Sequence, residues 1–248
     1  MSDIYVFLGP TLPREQAERE LDATFLPPVA QGDVIRVCAD RPKAIGIIDG
    51  YFENIPSVWH KEILFAIQSG IPVFGASSMG ALRAAELHPF GMIGVGAIFE
   101  AYRDGRLEDD DEVAVVHGPA ELGYPSLSEA MVNIRRTLAD AVAADVLSQL
   151  TSLKLESIAK ELPYRERGYG RVLRLATDIG LPADELAVFK SWLSIGRFDQ
   201  KREDARLMLA TMRRSLGRAD AAPLARFHFE RTSLWDRAMQ DVAASCTM

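Results

Sequence analysis

The chain has 248 residues, of which 48% are hydrophobic and 25% charged, and its formal net charge is −7. These values are typical of a soluble globular protein with a substantial core. No apolar run approaches the roughly 18 residues of a membrane-spanning helix. The N-terminus also lacks the basic flank of a signal peptide. We therefore expect a cytoplasmic protein without a membrane partner.

Acidic residues are concentrated in the first half of the chain. Residues 1–125 carry 19 Asp and Glu against 9 Lys and Arg, whereas residues 126–248 carry 16 against 19. Such an acidic half is a poor match for nucleic acid, so we expect no nucleic-acid partner. Cys38 and Cys246 lie far apart without the spacing of a zinc site, which predicts reduced thiols and no metal.

Short apolar runs alternate with helical patterns in the first half. The runs IYVFLG (4–9), KAIGIIDG (43–50), IPVFGAS (71–77) and DDEVAVVHGP (110–119) predict buried strands. Helices are predicted over 13–21, 56–70 with Ser57 as N-cap, 79–87 and 96–105. Strands separated by helices of this length indicate an α/β fold with a mostly parallel sheet and flanking helices.

From about Leu127 the strand patterns disappear. SLSEAMVNIRRTLADAVAADVLSQL predicts one long helix with a capping box at Ser126 and Glu129. Further amphipathic helices are predicted over 155–162, 168–179, 182–195, 199–216 and 231–243. We therefore predict an α/β domain over residues 1–140 and an all-α region over 141–248, with the boundary open between about 125 and 150.

The segment VFGASSMGALRAAEL places two serines where a strand turns into a helix. In a nucleophile elbow, small residues two positions before and after the serine let the turn close. Ala76 and Gly80 flank Ser78 in this way, whereas Met79 would crowd an elbow centred on Ser77. The spacing thus favours Ser78 as the nucleophile, with the Met79 N–H at the helix start placed to stabilise an oxyanion. Gly80, next to Met79, is the second candidate for this oxyanion site.

A nucleophilic serine needs a base, and the helix that begins in WHKE follows the neighbouring strand. Its first turn is expected at the same sheet edge as Ser78, so His60 and Lys61 are both candidates. Histidine titrates near ~6.5, whereas lysine must be desolvated to accept a proton near neutrality, although Ser–Lys pairs exist. Each of the three residues also has a structural alternative. Ser78 is then a helix cap, His60 a residue at a helix start, and Lys61 a solvated surface charge.

Asp49, His60 and Arg83 are the remaining candidate substrate-binding residues. Asp49 ends the strand over 43–50, at the edge where ligands gather in parallel sheets. Arg83 either pairs with Glu86 at i, i+3 or holds a carboxylate in the site.

Two other motifs are discounted. GVGAIF begins like a dinucleotide fingerprint, but Phe99 stands at the third glycine position. The acidic run EDDDE (108–112) lacks the glycine and ligand spacing of a calcium loop, so we predict a solvated turn, with a docking surface for a basic partner as the alternative.

Four segments in this order resemble the core of the TfuA-like proteins over roughly residues 3–140: IIDGYFENIPSVWHKEI, VFGASSMGALRAAEL, IFEAYRDGRLEDDDEVAVVHGPAELGY and LSEAMVNIR. The resemblance implies an accessory protein that works beside a YcaO-type ATP-dependent cyclodehydratase in peptide-backbone thioamidation. It also implies hydrolysis of the C-terminal thiocarboxylate of a ThiS-like sulfur-carrier protein, which releases sulfide, and help for YcaO in engaging its precursor peptide.

The resemblance further implies a Ser–Lys pair and no cofactor. The serine falls on Ser78 and the lysine on Lys61, while Lys43 precedes its strand and is expected at the opposite sheet edge. Arg83 becomes a candidate ligand for the thiocarboxylate. Tyr51 and Phe52, together with the acidic run, are predicted to line a groove for the end of the carrier.

Two other classes stay open. One is a non-catalytic adaptor that binds YcaO and presents the peptide, and the other is a nucleotide-binding protein, which rests on fold analogy alone. A Lys61 amine within about 3 Å of the Ser78 hydroxyl favours catalysis, whereas side chains on opposite sides favour the adaptor. Whether the chain forms a homo-oligomer is left open.

Overall fold

The structure, a computed structural model, describes residues 3–51, 55–216 and 227–245. The chain packs as two compact units. The first comprises the described residues of 1–108 and 202–248, and the second comprises 109–201. The predicted division at residue 140 does not coincide with this packing division and falls within a helix.

A five-stranded sheet forms the centre of the first unit. Its strands are β1 (Ile4–Phe7), β2 (Thr24–Leu26), β3 (Ala44–Ile47), β4 (Val73–Ala76) and β5 (Ile93–Val95), in the spatial order β2-β1-β3-β4-β5. All four pairings are parallel, with Val6 opposite Gly46 and Gly46 opposite Phe74. The predicted α/β class with a parallel sheet is confirmed. In sheets of this order, ligands bind at the carboxyl edge beside β1 and β3.

The helices, in chain order, are α1 (Arg14–Glu20), α2 (Asp33–Cys38), α3 (His60–Gln68), α4 (Met79–Leu87), α5 (Ala97–Arg103), α6 (Met131–Ala143), α7 (Gln149–Glu161), α8 (Tyr169–Asp178), α9 (Ala183–Gly196), α10 (Gln200–Leu216) and α11 (Ser233–Ser245). Helices α6 to α9 lie in the second unit, and the predicted helical C-terminal region is confirmed. Within the described ranges, no helix combines the length and apolarity needed to cross a membrane.

The predicted strand over 110–119 is wrong. The segment begins with a 3-10 turn at Asp110–Glu112 and continues irregularly to an isolated bridge between His117 and Ser126. Its apolar residues Val113 and Ala114 are nevertheless buried, because an apolar run can enter a core without joining a sheet. Strands β2 and β5, each of three residues, are too short to give a periodic signal and are missed by the sequence analysis.

Two predicted helix caps are also wrong. Helix α3 begins at His60 rather than after Ser57, whose hydroxyl donates instead to the Tyr51 carbonyl at 2.9 Å. Helix α6 begins at Met131, so Ser126 and Glu129 do not form its capping box. Acidic and hydroxyl side chains near a helix start have other partners within reach, and sequence spacing alone does not distinguish them.

Helix α10 covers one face of the sheet. Its residues Met208 and Met212 belong to the same buried cluster as Val6 and Phe74 of the strands. At Gly46, a Cβ atom would lie 2.9 Å from the Met212 sulfur, so the absence of a side chain there allows the helix to approach. A helix that follows the second unit in sequence therefore completes the core of the first.

The start of α4 is packed directly onto the end of β3. A Cβ atom on Gly80 would lie 1.8 Å from the Ile47 carbonyl oxygen, and one on Gly75 would lie 2.2 Å from the Gly80 oxygen. The Gly80 N–H donates to the Ile48 carbonyl oxygen at 3.3 Å. The two glycines thus set the distance between α4 and the sheet.

We expect Gly80→Ala to lower the free energy of unfolding by about 2–4 kcal/mol, because the new methyl group meets backbone rather than a flexible side chain. Gly170→Ala in α8 is the control, since a Cβ there meets no atom within 4 Å. It should leave stability unchanged or raise it by up to about 1 kcal/mol. Urea unfolding followed by circular dichroism measures both, and equal midpoints for the two variants would contradict the packing described.

The acidic run forms ion pairs within the second unit. The carboxylate of Glu112, which is 3% exposed, accepts from Arg135 at 2.9 Å and lies 3.0 Å from the Lys160 amine. Asp111 pairs with Lys160 and accepts from Arg167 at 2.7 Å. Burial raises the pKa of Glu112, but Arg135 and Lys160 outweigh it and hold that pKa below its ordinary value. The predicted solvated turn is therefore wrong for these two carboxylates.

We expect Glu112→Gln to lower the free energy of unfolding by about 1–3 kcal/mol at neutral pH, because charge-assisted hydrogen bonds are lost and two cations are left short of a partner. A carboxyl whose pKa is depressed by folding stabilises the fold above its unfolded pKa of about 4.3. That contribution is lost as the pH falls through the lower folded value. Urea unfolding across this range should show the difference between wild type and variant shrinking toward acid; a constant difference contradicts the assignment.

Candidate functional site

The predicted site residues cluster at the carboxyl edge of the sheet. Ser77 and Ser78 follow β4, Asp49 follows β3, and the loop with Thr11 follows β1. Because these strands are parallel neighbours, the loops after them meet at one edge. The first turn of α3, which carries His60 and Lys61 and precedes β4, starts from the same side.

The turn between β4 and α4 is strained at Ser77. This residue has a φ of +71°, and the Ser78 N–H donates to the Ala76 carbonyl at 2.9 Å, which together describe a γ-turn centred on Ser77. A non-glycine residue in such a conformation costs about 1–3 kcal/mol, and strain of this kind concentrates at functional sites. The small flanking residues predict an elbow centred on Ser78, but they do not reveal which residue takes the positive φ.

Ser78 occupies the N-cap position of α4. It has φ −114° and ψ −120°, and its carbonyl accepts from the N–H of Ala81 at 3.0 Å. Both serines are buried, with Ser77 0% and Ser78 4% exposed. Ser78 thus occupies both the N-cap position and the elbow. The geometry is compatible with either role, so Ser78 as nucleophile stays a prediction.

The two predicted oxyanion residues differ in their engagement. The Gly80 N–H is already bonded to the Ile48 carbonyl, and this bond holds α4 against the sheet. Met79 is the first residue of α4, and its side chain packs against Gly50, where a Cβ atom would lie 2.6 Å from Met79 Cγ. Of the two, the Met79 amide is the candidate for stabilising an anion.

Asp49 anchors the loop that follows β1. It is 2% exposed, and its carboxylate accepts from the Gly9 N–H at 2.9 Å, the Thr11 N–H at 3.2 Å and the Thr11 hydroxyl at 2.6 Å. These bonds hold the ends of β1 and β3 together. Thr11 is not among the residues predicted for the site, although its position just after a predicted strand places it at this edge.

Lys61 lies on the face of α3 opposite its buried side. The buried side of the helix is formed by Glu62, Ile63, Ala66 and Ile67. The Lys61 amine lies 3.4 Å from the Thr232 hydroxyl and 5.3 Å from the centre of the Phe229 ring. Phe229 packs in turn with Phe65 and Trp235. In the part of the chain that the structure describes, this amine therefore faces the segment that leads into α11.

His60 and Arg83 both bind Glu86. His60 Nε2 and the Arg83 guanidinium lie 2.7 and 2.8 Å from the same carboxylate oxygen, Glu86 Oε2. Burial raises the pKa of Glu86, but His60 and Arg83 outweigh it and keep that pKa below its ordinary value. Arg83 Nε also donates to the Val58 carbonyl at 3.2 Å. Of the two predicted roles for Arg83, pairing with Glu86 is the one observed.

Lys43 lies at the amino end of β3, as expected, and pairs with Asp3 at 3.0 Å. Tyr51 is half-buried, and its N–H donates to the Val29 carbonyl. Phe52, the other residue predicted to line a groove, lies outside the described residues.

Gly94 of GVGAIF lies within β5, and Gly96 lies between β5 and α5, where a dinucleotide fingerprint has its strand-to-helix turn. However, the N–H groups of Ala97 and Ile98 at the start of α5 donate to the Asp204 carboxylate at 3.2 and 2.8 Å. A Cβ atom on Gly96 would also lie 2.4 Å from that carboxylate carbon. The protein's own carboxylate thus takes the place that a phosphate needs.

Comparison with known proteins agrees with the sequence motifs. The family model described as TfuA-like protein matches residues 49–168, which include the site residues from Asp49 to Glu86. No curated protein matches the chain. The family supports an association with thioamidation. Together with the motifs of the sheet edge, this match identifies residues 49–168 as a TfuA-like region.

Proposed function

We propose that the protein is an accessory hydrolase in the backbone thioamidation of a ribosomal peptide or protein. It hydrolyses the C-terminal thiocarboxylate of a ThiS-like carrier, releases sulfide, and assists a YcaO-type partner in binding its precursor peptide. The observation that carries the proposal is the strained turn at Ser77, which holds two buried serines at the carboxyl edge of the sheet. Strained strand-to-helix turns of this kind present catalytic serines.

The proposed reaction is acyl transfer to a serine and then to water. Ser78 Oγ attacks the thiocarboxylate carbon, a C–O bond forms, and the C–S bond breaks to release sulfide. The Met79 N–H stabilises the oxyanion. Water then hydrolyses the ester and regenerates the serine. In sum, one thiocarboxylate and one water give one carboxylate and one hydrogen sulfide, so no cofactor or oxidant is required.

Lys61 is the proposed base, as the family resemblance implies. Its amine lies against the face of Phe229, an arrangement that binds the ammonium form of a lysine. To accept a proton from the serine, the amine has to be unprotonated and within hydrogen-bond distance of the serine hydroxyl.

Ser77 is the competing nucleophile at the same turn. Spacing favours Ser78, whereas the positive φ marks Ser77. Ser78 directly precedes Met79 and Ser77 lies one residue earlier, so the Met79 amide is the oxyanion candidate for either nucleophile. Single substitutions distinguish them.

We expect Ser78→Ala to lower the rate of sulfide release from a thiocarboxylated carrier by about 10³-fold or more, since the nucleophile is lost. Ser77→Ala should lower it less than about tenfold. Ser69→Ala, at an exposed serine that donates to the Phe65 carbonyl, is the matched control. Circular dichroism checks the fold. Loss confined to Ser77→Ala moves the nucleophile to Ser77, and undiminished release from both variants rules out a serine mechanism at this turn.

We expect Lys61→Met, which keeps the apolar stem, to lower kcat by about 10²–10⁴-fold in the same assay, since general-base catalysis is lost. Lys43→Met at the opposite sheet edge is the matched control and should retain full activity. Sulfide release that is equal in the two variants shows that the base lies elsewhere.

The second candidate function is a non-catalytic adaptor that binds YcaO and presents the peptide. The observation that favours it is the position of Lys61, on the outward face of α3 and in contact with Thr232 and Phe229. An adaptor raises the affinity of YcaO for its peptide and releases no sulfide. Peptide binding to YcaO and sulfide release are both measured in the presence of wild type and of Ser78→Ala. An adaptor raises the peptide affinity in both cases and releases no sulfide in either, whereas the proposed hydrolase releases sulfide as wild type.

A further inference from the structure

A cavity of about 490 Å³ lies in the first unit, between the start of α2, the start of α3 and α11. Its lining includes neither of the serines, nor Asp49, nor Lys61, so it is distinct from the sheet-edge site. A volume of this size is typical of a small-molecule site. Its walls are apolar and contain Ile35, Ile55, Trp59, Leu234, Ala238 and Val242.

Two contacts fix the position of α11 relative to the other walls of this cavity. Trp235 of α11 is buried against Phe65, with 5.3 Å between the ring centres. Farther along α11, Val242 packs at Gly32, where a Cβ atom would lie 3.3 Å from the valine methyl. The two contacts thus fix α11 near both ends of the stretch that lines the cavity.

The floor of the cavity is also fixed. Both carboxylate oxygens of Glu62 accept from the Gly32 N–H at 2.9 Å, and one accepts from the Trp59 N–H at 3.2 Å. Burial raises the pKa of Glu62 against these hydrogen bonds. Its acceptor capacity is directed to the backbone N–H groups of Gly32 and Trp59.

Two guanidinium groups, Arg36 and Arg237, border the cavity. Arg36 pairs with Asp33 through one nitrogen, Nη1. Arg237, on α11, makes no ion pair with any residue that the structure describes. Asp241 also borders the cavity, one turn farther along α11. A guanidinium without an ion pair beside an apolar cavity is suited to a carboxylate joined to an apolar body.

We infer that this cavity binds a small amphipathic carboxylate, with the carboxylate at Arg237 and Arg36 and the apolar body against Ile35 and Trp59. The same chemistry is offered by a free medium-chain acid and by the C-terminal residue of a peptide with an apolar side chain. The inference is independent of sulfide release, since it concerns binding at a different place in the fold.

Isothermal titration of the full chain with octanoate tests the site, with octylamine as the probe of opposite charge. A short peptide ending in leucine, with a free or an amidated C-terminus, distinguishes the second source of the carboxylate. We expect saturable binding of octanoate or of the free peptide, and binding at least tenfold weaker for octylamine and for the amidated peptide.

Three variants locate the binding. Arg237→Gln should weaken it at least tenfold, and Ala238→Leu, which fills the cavity, should abolish it. Arg231→Gln removes an exposed guanidinium that pairs with Asp236 outside the cavity lining, and it should bind like wild type. Because Arg237 is exposed, its variant should fold normally. Equal affinity for acid and amine, unchanged affinity in Arg237→Gln, or no binding of any probe overturns the inference.

Discussion

The close approach of α4 to the end of β3 is the constraint on which the carboxyl edge depends. With the Gly80 N–H bonded to the Ile48 carbonyl and no space for a side chain, the helix must begin beside the sheet rather than above it. The chain therefore has to reverse within two residues of leaving β4. The positive φ of Ser77 follows from that requirement, since a γ-turn is the shortest available reversal. The strain is supplied by packing that lies on both sides of the turn.

Adjacent residues of α3 contact different parts of the structure. Its second and third residues, Lys61 and Glu62, point in different directions, because consecutive side chains are about 100° apart around a helix. Glu62 ties the helix to Gly32 on the inner side, whereas Lys61 meets Phe229 and Thr232 on the outer side. The orientation of α3 thus fixes which of its charged groups face the core and which face the segment before α11.

Much of the fold follows from the sequence. The buried runs that became β1, β3 and β4, and the pattern that became α4, carry strong signals, because each is apolar and bounded by glycine, proline or serine. Strands β2 and β5 escape because three residues show no period, and the run at Val113 misleads because burial does not require a sheet. The spacing of apolar residues predicts that a segment is buried, but it does not identify the element against which the segment packs.

The candidate site, like the fold, is predicted by the sequence only in part. Sequence places Asp49 and the serines at one edge, since strand ends of a parallel sheet meet there. It does not give the φ of Ser77, the two hydrogen bonds between Thr11 and Asp49, or the residues that contact Lys61, because these arise from segments up to 171 positions apart. A prediction limited to neighbouring motifs cannot reach Thr232.

The contribution of α10 to the sheet's core has a consequence for how the chain is made. A ribosome releases the strands first, then all of residues 109–201, and only afterwards the methionines that pack against Gly46. At roughly 5–20 residues per second, the uncovered sheet face persists for several seconds during synthesis. Until Met208 and Met212 emerge, that apolar face is open to chaperones or to other nascent chains. A truncated product ending before α10 would keep it exposed permanently.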